Sequence, residues 1–261
     1  MAFHRIYGTI LRYIFLFRHS LDRVMDAFYW PTLDLIIWGL TSSFLQSFAP
    51  ENSRALLIVV SGIIFWLIAW RGQAEITINL LEDLWNKNLI NIFVSPLKFS
   101  EWIVSFLVFG VIKGLVSFFF ASFVAFILYK VHILAYGFSI IPFIGLLIMT
   151  GWWVGFFVAG LILRFGSRVQ ILAWAMIAVI APFAAVYYPV SILPAWAQTI
   201  ALWMPMSYIF EGIREIAAGG ALDTSKLITS FFLSLVYLTA ALFFLKTSFK
   251  KILKRGLVKV F

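Results

Sequence analysis

Long apolar runs separated by short polar intervals dominate the chain. The runs that reach membrane length or approach it cover residues 27–48, 55–70, 102–128, 138–163, 169–188 and 227–245. A helix needs roughly 20 apolar residues to cross about 30 Å of hydrocarbon. The pattern therefore predicts an all-α integral membrane protein with six transmembrane helices, of which the second continues as a helix beyond Arg71.

Two further stretches carry apolar residues at helical spacing but mix them with charges. In residues 1–20 one face holds Ile6, Ile10, Tyr13, Ile14 and Phe17. This pattern favours a helix lying in the membrane interface, and the alternative is an extended start of the first span. Residues 75–102 again combine charged residues with apolar residues at helical spacing, and this pattern ends at Pro96. They predict an amphipathic helix between the second and third spans.

A proline-rich interruption follows the fifth apolar run, with prolines at Pro189, Pro194 and Pro205. The piece from Pro194 to Met204 would be about 16 Å long as a helix, roughly half the hydrocarbon thickness. Its apolar face carries Trp196, Ile200 and Trp203. We expect a re-entrant hairpin whose helix begins at Pro194 and ends at Pro205, and the alternative is a kinked fifth span with an apolar loop.

The interruption ends in three charged residues, Glu211, Arg214 and Glu215. Glu211 and Arg214 are three residues apart and can pair on one helix face. Two interpretations remain open. The charges either mark an outer mouth and hold the hairpin, or they belong to a solvated helix end.

Composition agrees with a membrane protein, since 63% of the 261 residues are hydrophobic and 12% are charged. The net charge of +9 does not indicate a nucleic-acid partner, because most basic residues flank apolar runs. One side of the six-span arrangement holds 15 of the 20 Lys and Arg residues and the other holds 4. By the positive-inside rule both termini are cytoplasmic. We expect one membrane domain over residues 1–261 and no removed signal peptide.

Several kinds of chemistry are excluded by the residues that the chain lacks. The sequence contains no cysteine, which rules out disulfides and thiolate metal sites. The histidines lie near the ends of apolar runs, at His4, His19 and His132, and no HExxH motif occurs. An intramembrane protease or metallohydrolase is therefore disfavoured. We expect no enzyme activity and no cofactor.

Two segments together carry a family resemblance. "LEDLWNKNLINIFVSPLKFSEW" after the second span and "YPVSILPAWAQTIALWMPMSYIFEGIRE" after the fifth resemble the membrane subunit of ABC-2 type exporters over essentially the whole chain. One departure is "INLLED", where the family often has a Gly-Thr pair before its coupling helix. The resemblance implies a homodimer in the prokaryotic inner membrane, surrounded by lipids and joined to separate cytoplasmic ATP-binding cassette subunits.

The resemblance also assigns roles to particular positions. The interval from Glu82 to Pro96 would couple to the ATPase, through Glu82, Asp83, Trp85, Leu89 and Pro96. The outer gate would comprise Pro189, Pro194, Trp196, Pro205, Glu211 and Arg214. Because the chain has no GxxxxGK[ST] phosphate loop, ATP would be hydrolysed by the partner.

An ion-coupled secondary transporter is the alternative function. Such a protein needs charges within the membrane, and the candidates are Asp34 in the first span and Lys113 in the third. Both are expected to face the protein interior, where they either pair or line a path. Lys113 could instead extend its side chain to the membrane surface. The substrate class stays open on either function.

Overall fold

A computed structural model describes residues 2–48 and 55–255 of the chain. The predicted "APENSR" turn at 49–54 and the end of the basic tail at 256–261 lie outside the described residues. The regular secondary structure of the described residues is entirely helical, without any strand. Its helices are α1 (Phe3–His19), α2 (Leu21–Phe48), α3 (Ala55–Trp85), α4 (Leu89–Val94), α5 (Phe99–Tyr129), α6 (Ile140–Phe165), α7 (Leu172–Ile180), α8 (Ala195–Leu202), α9 (Pro205–Ala217) and α10 (Thr224–Arg255).

Among the described residues, four helical segments are long and apolar enough to cross a membrane. They cover Ala55–Trp85, Phe99–Tyr129, Ile133–Val169 and Thr224–Ile252. These segments contain the predicted second, third, fourth and sixth spans. The expectation of an all-helical, multi-pass membrane protein is confirmed.

The predicted first and fifth spans differ from those four. The 28-residue α2 is long enough, but Asp34, Gln46 and several hydroxyl side chains dilute its apolar character. The predicted fifth span is much shorter than expected, because α7 has nine residues and only a 3-10 turn (Ala181–Phe183) extends it. Pro182 lies in that turn. An α-helix of twelve residues would reach about 18 Å, less than the hydrocarbon thickness.

The predicted amphipathic helix after the second span is wrong in its bounds. The helix of the second span continues beyond Arg71, as expected, but it runs unbroken to Trp85. The chain then turns at Lys87, whose φ of 53° lies in the left-handed region, and α4 has only six residues before Pro96. The polar and the apolar residues of 71–85 both recur with the period of an α-helix. The helix of the second span can therefore continue past its first charged residue.

The proline-rich segment folds into two short helices, one after the other. Pro194 caps α8, which begins at Ala195 as predicted to within one residue. Pro205 does not end this helix but begins α9. The first helical position suits proline because its backbone has no amide hydrogen to leave unpaired there.

The bundle is built around α3, which packs against α2, α5 and α6. On its other side α6 packs against α10, and α1 lies against α5. Gly72 of α3 and Gly151 of α6 bring the two backbones close together, and a Cβ on Gly151 would lie 2.6 Å from the carbonyl oxygen of Ala69. Small residues at membrane helix interfaces allow such close backbone contact.

Gly151→Ala should therefore destabilise the bundle. The added methyl group meets backbone atoms of α3, and we expect the unfolding free energy in detergent to fall by about 2 kcal/mol, measured by thermal or denaturant unfolding. Gly145→Ala is the matched control on the same helix, because nothing lies within 4 Å of its Cβ position. That variant should be neutral or slightly stabilising. Equal effects of the two substitutions would contradict this packing.

Candidate coupling site and outer cap

A row of polar residues follows one face of α3. We call it the α3 stripe, and it consists of Arg71, Glu75, Asn79, Glu82 and Asp83. These residues recur at intervals of three or four, which aligns them along one side of a helix. All except Glu82 are buried. Buried charges are costly unless they are paired, so their partners determine what the stripe does.

Ion pairs join the middle of the stripe to α2 and α5. Arg71 pairs with Asp26 of α2, and Glu75 pairs with Lys113 of α5. The second carboxylate oxygen of Glu75 accepts a hydrogen bond from Asn79 at 3.1 Å. Each acidic group therefore has a cationic partner on another helix, and α3 is fixed relative to both neighbours.

The last turn of the stripe is held by α1 and the start of α2. Arg23 donates hydrogen bonds of 3.1 Å to both Asn79 and Glu82. Asp83 pairs with Arg12 and accepts a 3.2 Å hydrogen bond from the Tyr13 hydroxyl. Burial raises the pKa of Tyr13, which keeps the phenol protonated as a donor.

A second set of contacts fixes the beginning of α1 to the beginning of α5. Glu101 accepts hydrogen bonds from the backbone amides of Ala2 at 2.7 Å and Lys98 at 3.0 Å. Arg5 lies 3.7 Å from the same carboxylate and donates to the carbonyl of Pro96. Together with the Asp83 contacts, these bonds attach α1 across the turn between α3 and α5.

The predicted coupling residues divide into internal and exposed groups. Asp83 and Leu89 are buried, as are the neighbouring Leu81 and Leu84. The apolar side chains of this interval are thus covered largely by the chain itself. Trp85 differs, because 47% of its surface is exposed.

Trp85 connects the end of α3 to α7. Its ring stacks on Trp174 with centroids 6.2 Å apart, and its indole nitrogen donates to Gln170 at 3.3 Å. A cavity of about 320 Å³ opens beside this pair, lined by Asp22, Arg23, Asp26, Glu75, Asn79, Glu82, Lys113 and both tryptophans. The aromatic pair and the ion pairs of the stripe therefore share one space.

The two candidate intramembrane charges do not pair with each other. Lys113 is buried, its partner is Glu75, and its ammonium lies 4.9 Å from the centre of the Phe17 ring. Its side chain is directed into the bundle, towards α3. Asp34 is partly buried on α2 and forms no ion pair with any described residue.

Residues 181–217, which we call the cap, lie at the other end of the bundle. Glu211 and Arg214 form the ion pair that their spacing predicts, with a separation of 3.1 Å. Glu211 also accepts a 2.7 Å hydrogen bond from the amide of Val190, and Arg214 donates to the carbonyl of Ala185 at 2.6 Å. The two charges therefore tie the loop before α8 to α9.

The remaining residues of the predicted gate lie around α8. Ala197 and Ala201 pack inward, whereas Trp196 is 64% exposed and touches the edge of Phe183. Pro194 is exposed and Pro189 is partly buried. Two hydroxyl groups of α10 bind the connection between α8 and α9. Ser230 donates a hydrogen bond to the carbonyl of Pro205, and Tyr237 donates one to the carbonyl of Trp203.

Sequence reasoning missed most of the partners in the stripe. Arg12, Arg23, Asp26, Arg71, Glu75 and Asn79 were not predicted as site residues. The signal was present in "RGQAEITIN", where polar residues recur every four positions inside a helix. The identity of their partners on α1, α2 and α5 has no comparable signal, because those contacts are distant in sequence.

Comparison with known proteins agrees with this architecture. No curated protein sequence matches the chain. A family model described as ABC-2 type transporter matches residues 14–217, which include the α3 stripe and the cap. Proteins of this family are membrane transport subunits that are generally not catalytic themselves, and the family implies an ATP-binding cassette partner. The chain belongs to the ABC-2 type transporter family.

Proposed function

We propose that this chain is the permease subunit of an ABC exporter, which moves substrate out of the cytoplasm with ATP hydrolysed by a separate subunit. One observation carries the proposal. The 31-residue α3 is unbroken from the cap end of the bundle to the turn at Lys87, and ion pairs attach it to α1, α2 and α5. A displacement at that turn would therefore move the interior of the bundle as well.

The coupling segment extends from Glu82 to Pro96. Trp85 is its exposed aromatic residue, and aromatic residues commonly dominate binding energy at protein interfaces. Asp83 and Leu89 hold the segment to the bundle, while Glu82 and Pro96 are bound by arginines of the N-terminal region. A partner that moves this segment would thereby also move α1.

The orientation follows from the distribution of basic residues. We propose that the chain passes six times through the prokaryotic inner membrane, with α2 as the first passage and residues 169–188 as the fifth, where α7 is followed by non-helical backbone buried at Ala184, Ala185 and Val186. Both termini would be cytoplasmic, and residues 1–261 would form one domain. The chain has no natural cysteine, so a Lys246→Cys variant gives a single reporter. It should react with a membrane-impermeant thiol reagent only after the cells are opened. Reaction in intact cells would refute this orientation.

The cap would then be the outer gate. Its loop is secured by Glu211 and Arg214, and α8 is about 12 Å long, too short to span. Pro189, Pro194 and Pro205 set the bends around it. In a homodimer surrounded by lipid, two caps would close the outer end of a shared path.

One observation favours the ion-coupled secondary transporter as a second candidate. Asp34 has no ionic partner among the described residues and is partly buried, and Glu75 is fully inside the bundle. Carboxylates in such positions can carry protons. This candidate would require substrate movement driven by an ion gradient without any ATPase.

Co-purification tests the exporter proposal. The tagged chain is co-expressed with each ATP-binding cassette subunit encoded in the same genome, solubilised and isolated. One such subunit should co-purify at a ratio of one to one, and its ATPase activity should change when the permease is bound. If none of them binds, the proposal fails.

A further inference from the structure

The acids and the cations around the turn between α3 and α5 differ in exposure. In the Arg12–Asp83 pair the arginine side chain is 38% exposed and the aspartate 3%, and in the Arg5–Glu101 pair the values are 31% and 1%. Each pair is neutral as a whole, but its negative partner lies inside. The surface that these pairs present is therefore positive.

Two lysines strengthen this positive surface. Lys87 lies at the turn after α3, and Lys98 directly precedes α5. Both are exposed, and neither forms an ion pair with a described residue. The nearest partly exposed acid, Glu82, is already bound by Arg23.

The positive surface is concave as well as charged. A cleft of about 390 Å³ lies between α1 and the segment that contains α4. Its lining combines the polar residues Arg5, Thr9, Arg12, Asn88, Asn91 and Ser95 with the apolar Ile92, Leu97 and Trp102. Guanidinium groups bind carboxylates through paired, charge-assisted hydrogen bonds. The cleft thus suits a protein segment that carries acidic side chains.

Length distinguishes a protein partner from lipid headgroups. At 1.5 Å per residue the 31-residue α3 is about 46 Å long, slightly more than the 40–45 Å of a whole bilayer with its headgroups. The antiparallel α5 has the same length. If α3 stands upright in the bilayer with its start at the opposite headgroup layer, the turn that carries Lys87 lies at the edge of the headgroups, where a cytoplasmic protein can contact it.

Building on the proposed function, we propose that the ATP-binding subunit docks on this basic surface, made of Arg5, Arg12, Lys87 and Lys98, and presents carboxylates to it. The sign is opposite to that of Glu82 and Asp83, the two acids to which the family resemblance assigns coupling. Asp83 instead orients α1 through Arg12, and Glu82 holds the start of α2 through Arg23. The arginines of α1, together with the two lysines, form the surface that the partner recognises.

The test measures affinity between the solubilised chain and the ATP-binding subunit that co-purifies with it. Lys87→Glu/Lys98→Glu should weaken binding about ten-fold at low salt, because reversed charges slow electrostatically guided association. Lys87→Gln/Lys98→Gln should give a smaller loss. Arg18→Glu/Lys250→Glu reverses two other exposed cations and should leave the affinity within about two-fold of the unsubstituted chain.

Each of the other outcomes contradicts a particular proposal. Unchanged affinity in Lys87→Glu/Lys98→Glu, or equal weakening in Arg18→Glu/Lys250→Glu, would overturn the docking surface while leaving the exporter proposal intact. Failure of every ATP-binding subunit to bind the unsubstituted chain would overturn the exporter proposal itself. If the lysine reversals instead weaken only binding to vesicles that contain phosphatidylglycerol, the surface contacts lipid headgroups and the docking proposal is wrong.

Discussion

Lys113→Met should lower the unfolding free energy by about 3 kcal/mol, because it leaves the Glu75 carboxylate buried without its cation. Methionine keeps the apolar stem of the side chain, so the loss reports the missing charge and not an empty space. The measurement is reversible unfolding in mixed detergent, followed by helical signal. The effect is large because a lone buried charge has neither water nor a counter-ion.

The double variant Glu75→Gln/Lys113→Met isolates that charge. Removing both charges together should recover most of the loss, to within about 1 kcal/mol of the unsubstituted chain, since buried ion pairs often contribute little net stability. Lys130→Met, at the exposed end of the same helix, is the control and should have little effect. A double variant as unstable as Lys113→Met alone would show that the pair is not the cause.

Trp85→Ala should disconnect ATP hydrolysis from movement of the cap. The substitution removes the ring that stacks on Trp174 and the exposed aromatic surface available to a partner. Loss of an aromatic anchor often costs more than 1.4 kcal/mol, which corresponds to about ten-fold in an equilibrium constant. In the complex with its ATP-binding subunit, hydrolysis should continue. The nucleotide-dependent change in reactivity of a cysteine at Ile200 in α8 should fall about ten-fold.

Two control substitutions distinguish the loss of the Trp85 anchor from a general loss of structure. Trp85→Phe keeps a ring against Trp174 but loses the hydrogen bond to Gln170, and it should retain most of the coupling. Trp30→Ala removes a tryptophan of similar exposure from α2 and should leave coupling unchanged. Full coupling in Trp85→Ala would exclude this residue from the coupling path.

Charge reversal at Glu82 and Asp83 should uncouple transport from ATP hydrolysis while the chain still inserts into the membrane, because both residues lie in the segment proposed for coupling. The structure adds a second effect for Asp83, because its carboxylate is buried against Arg12 and Tyr13. A cation there would face another cation and detach α1. Reversal at Glu82 is the milder change, since that side chain is partly exposed.

The sequence predicts the apolar helices well, and α3 shows where such a prediction ends. Its apolar run gives the position of the span, and its continuation beyond Arg71 follows from helical periodicity. The residue at which the helix ends does not follow from periodicity. Asn86 and Asn88 are typical of a turn, but the left-handed residue between them is Lys87, which is neither glycine nor asparagine, so the sequence does not fix where the helix ends.

The α3 stripe shows why the candidate site was only partly predictable. Spacing alone reveals that Glu75 and Asn79 share a face with Arg71. It cannot reveal that Lys113 contacts Glu75 instead of Asp34, because that choice depends on how α2, α3 and α5 are rotated against one another. Close packing at Gly72 and Gly151 contributes to setting the position of α3, and it is equally invisible in a single sequence.

The sequence predicts the structure of the cap better than that of the α3 stripe, because proline restricts the backbone locally. The predicted helix begins at Pro194, and in the structure Pro194 caps a helix that begins one residue later, at Ala195. Pro205 is compatible with either the end of one helix or the start of the next, and the structure uses it as a start. The ion pair of Glu211 and Arg214 follows from their spacing, but its attachment to the loop at Ala185 and Val190 does not.

The most direct test asks whether nucleotide in the partner moves the cap. A single cysteine replaces Trp196 in the otherwise cysteine-free chain, which is placed in nanodiscs with and without its ATP-binding subunit. The rate of reaction with a polar thiol reagent is measured in the nucleotide-free and the vanadate-trapped states. We predict a change of at least about three-fold that requires the ATP-binding subunit, because ATP can shift the cap only through contacts that differ between states. The same rate in both states, or the same change without the subunit, would contradict an ATP-driven permease.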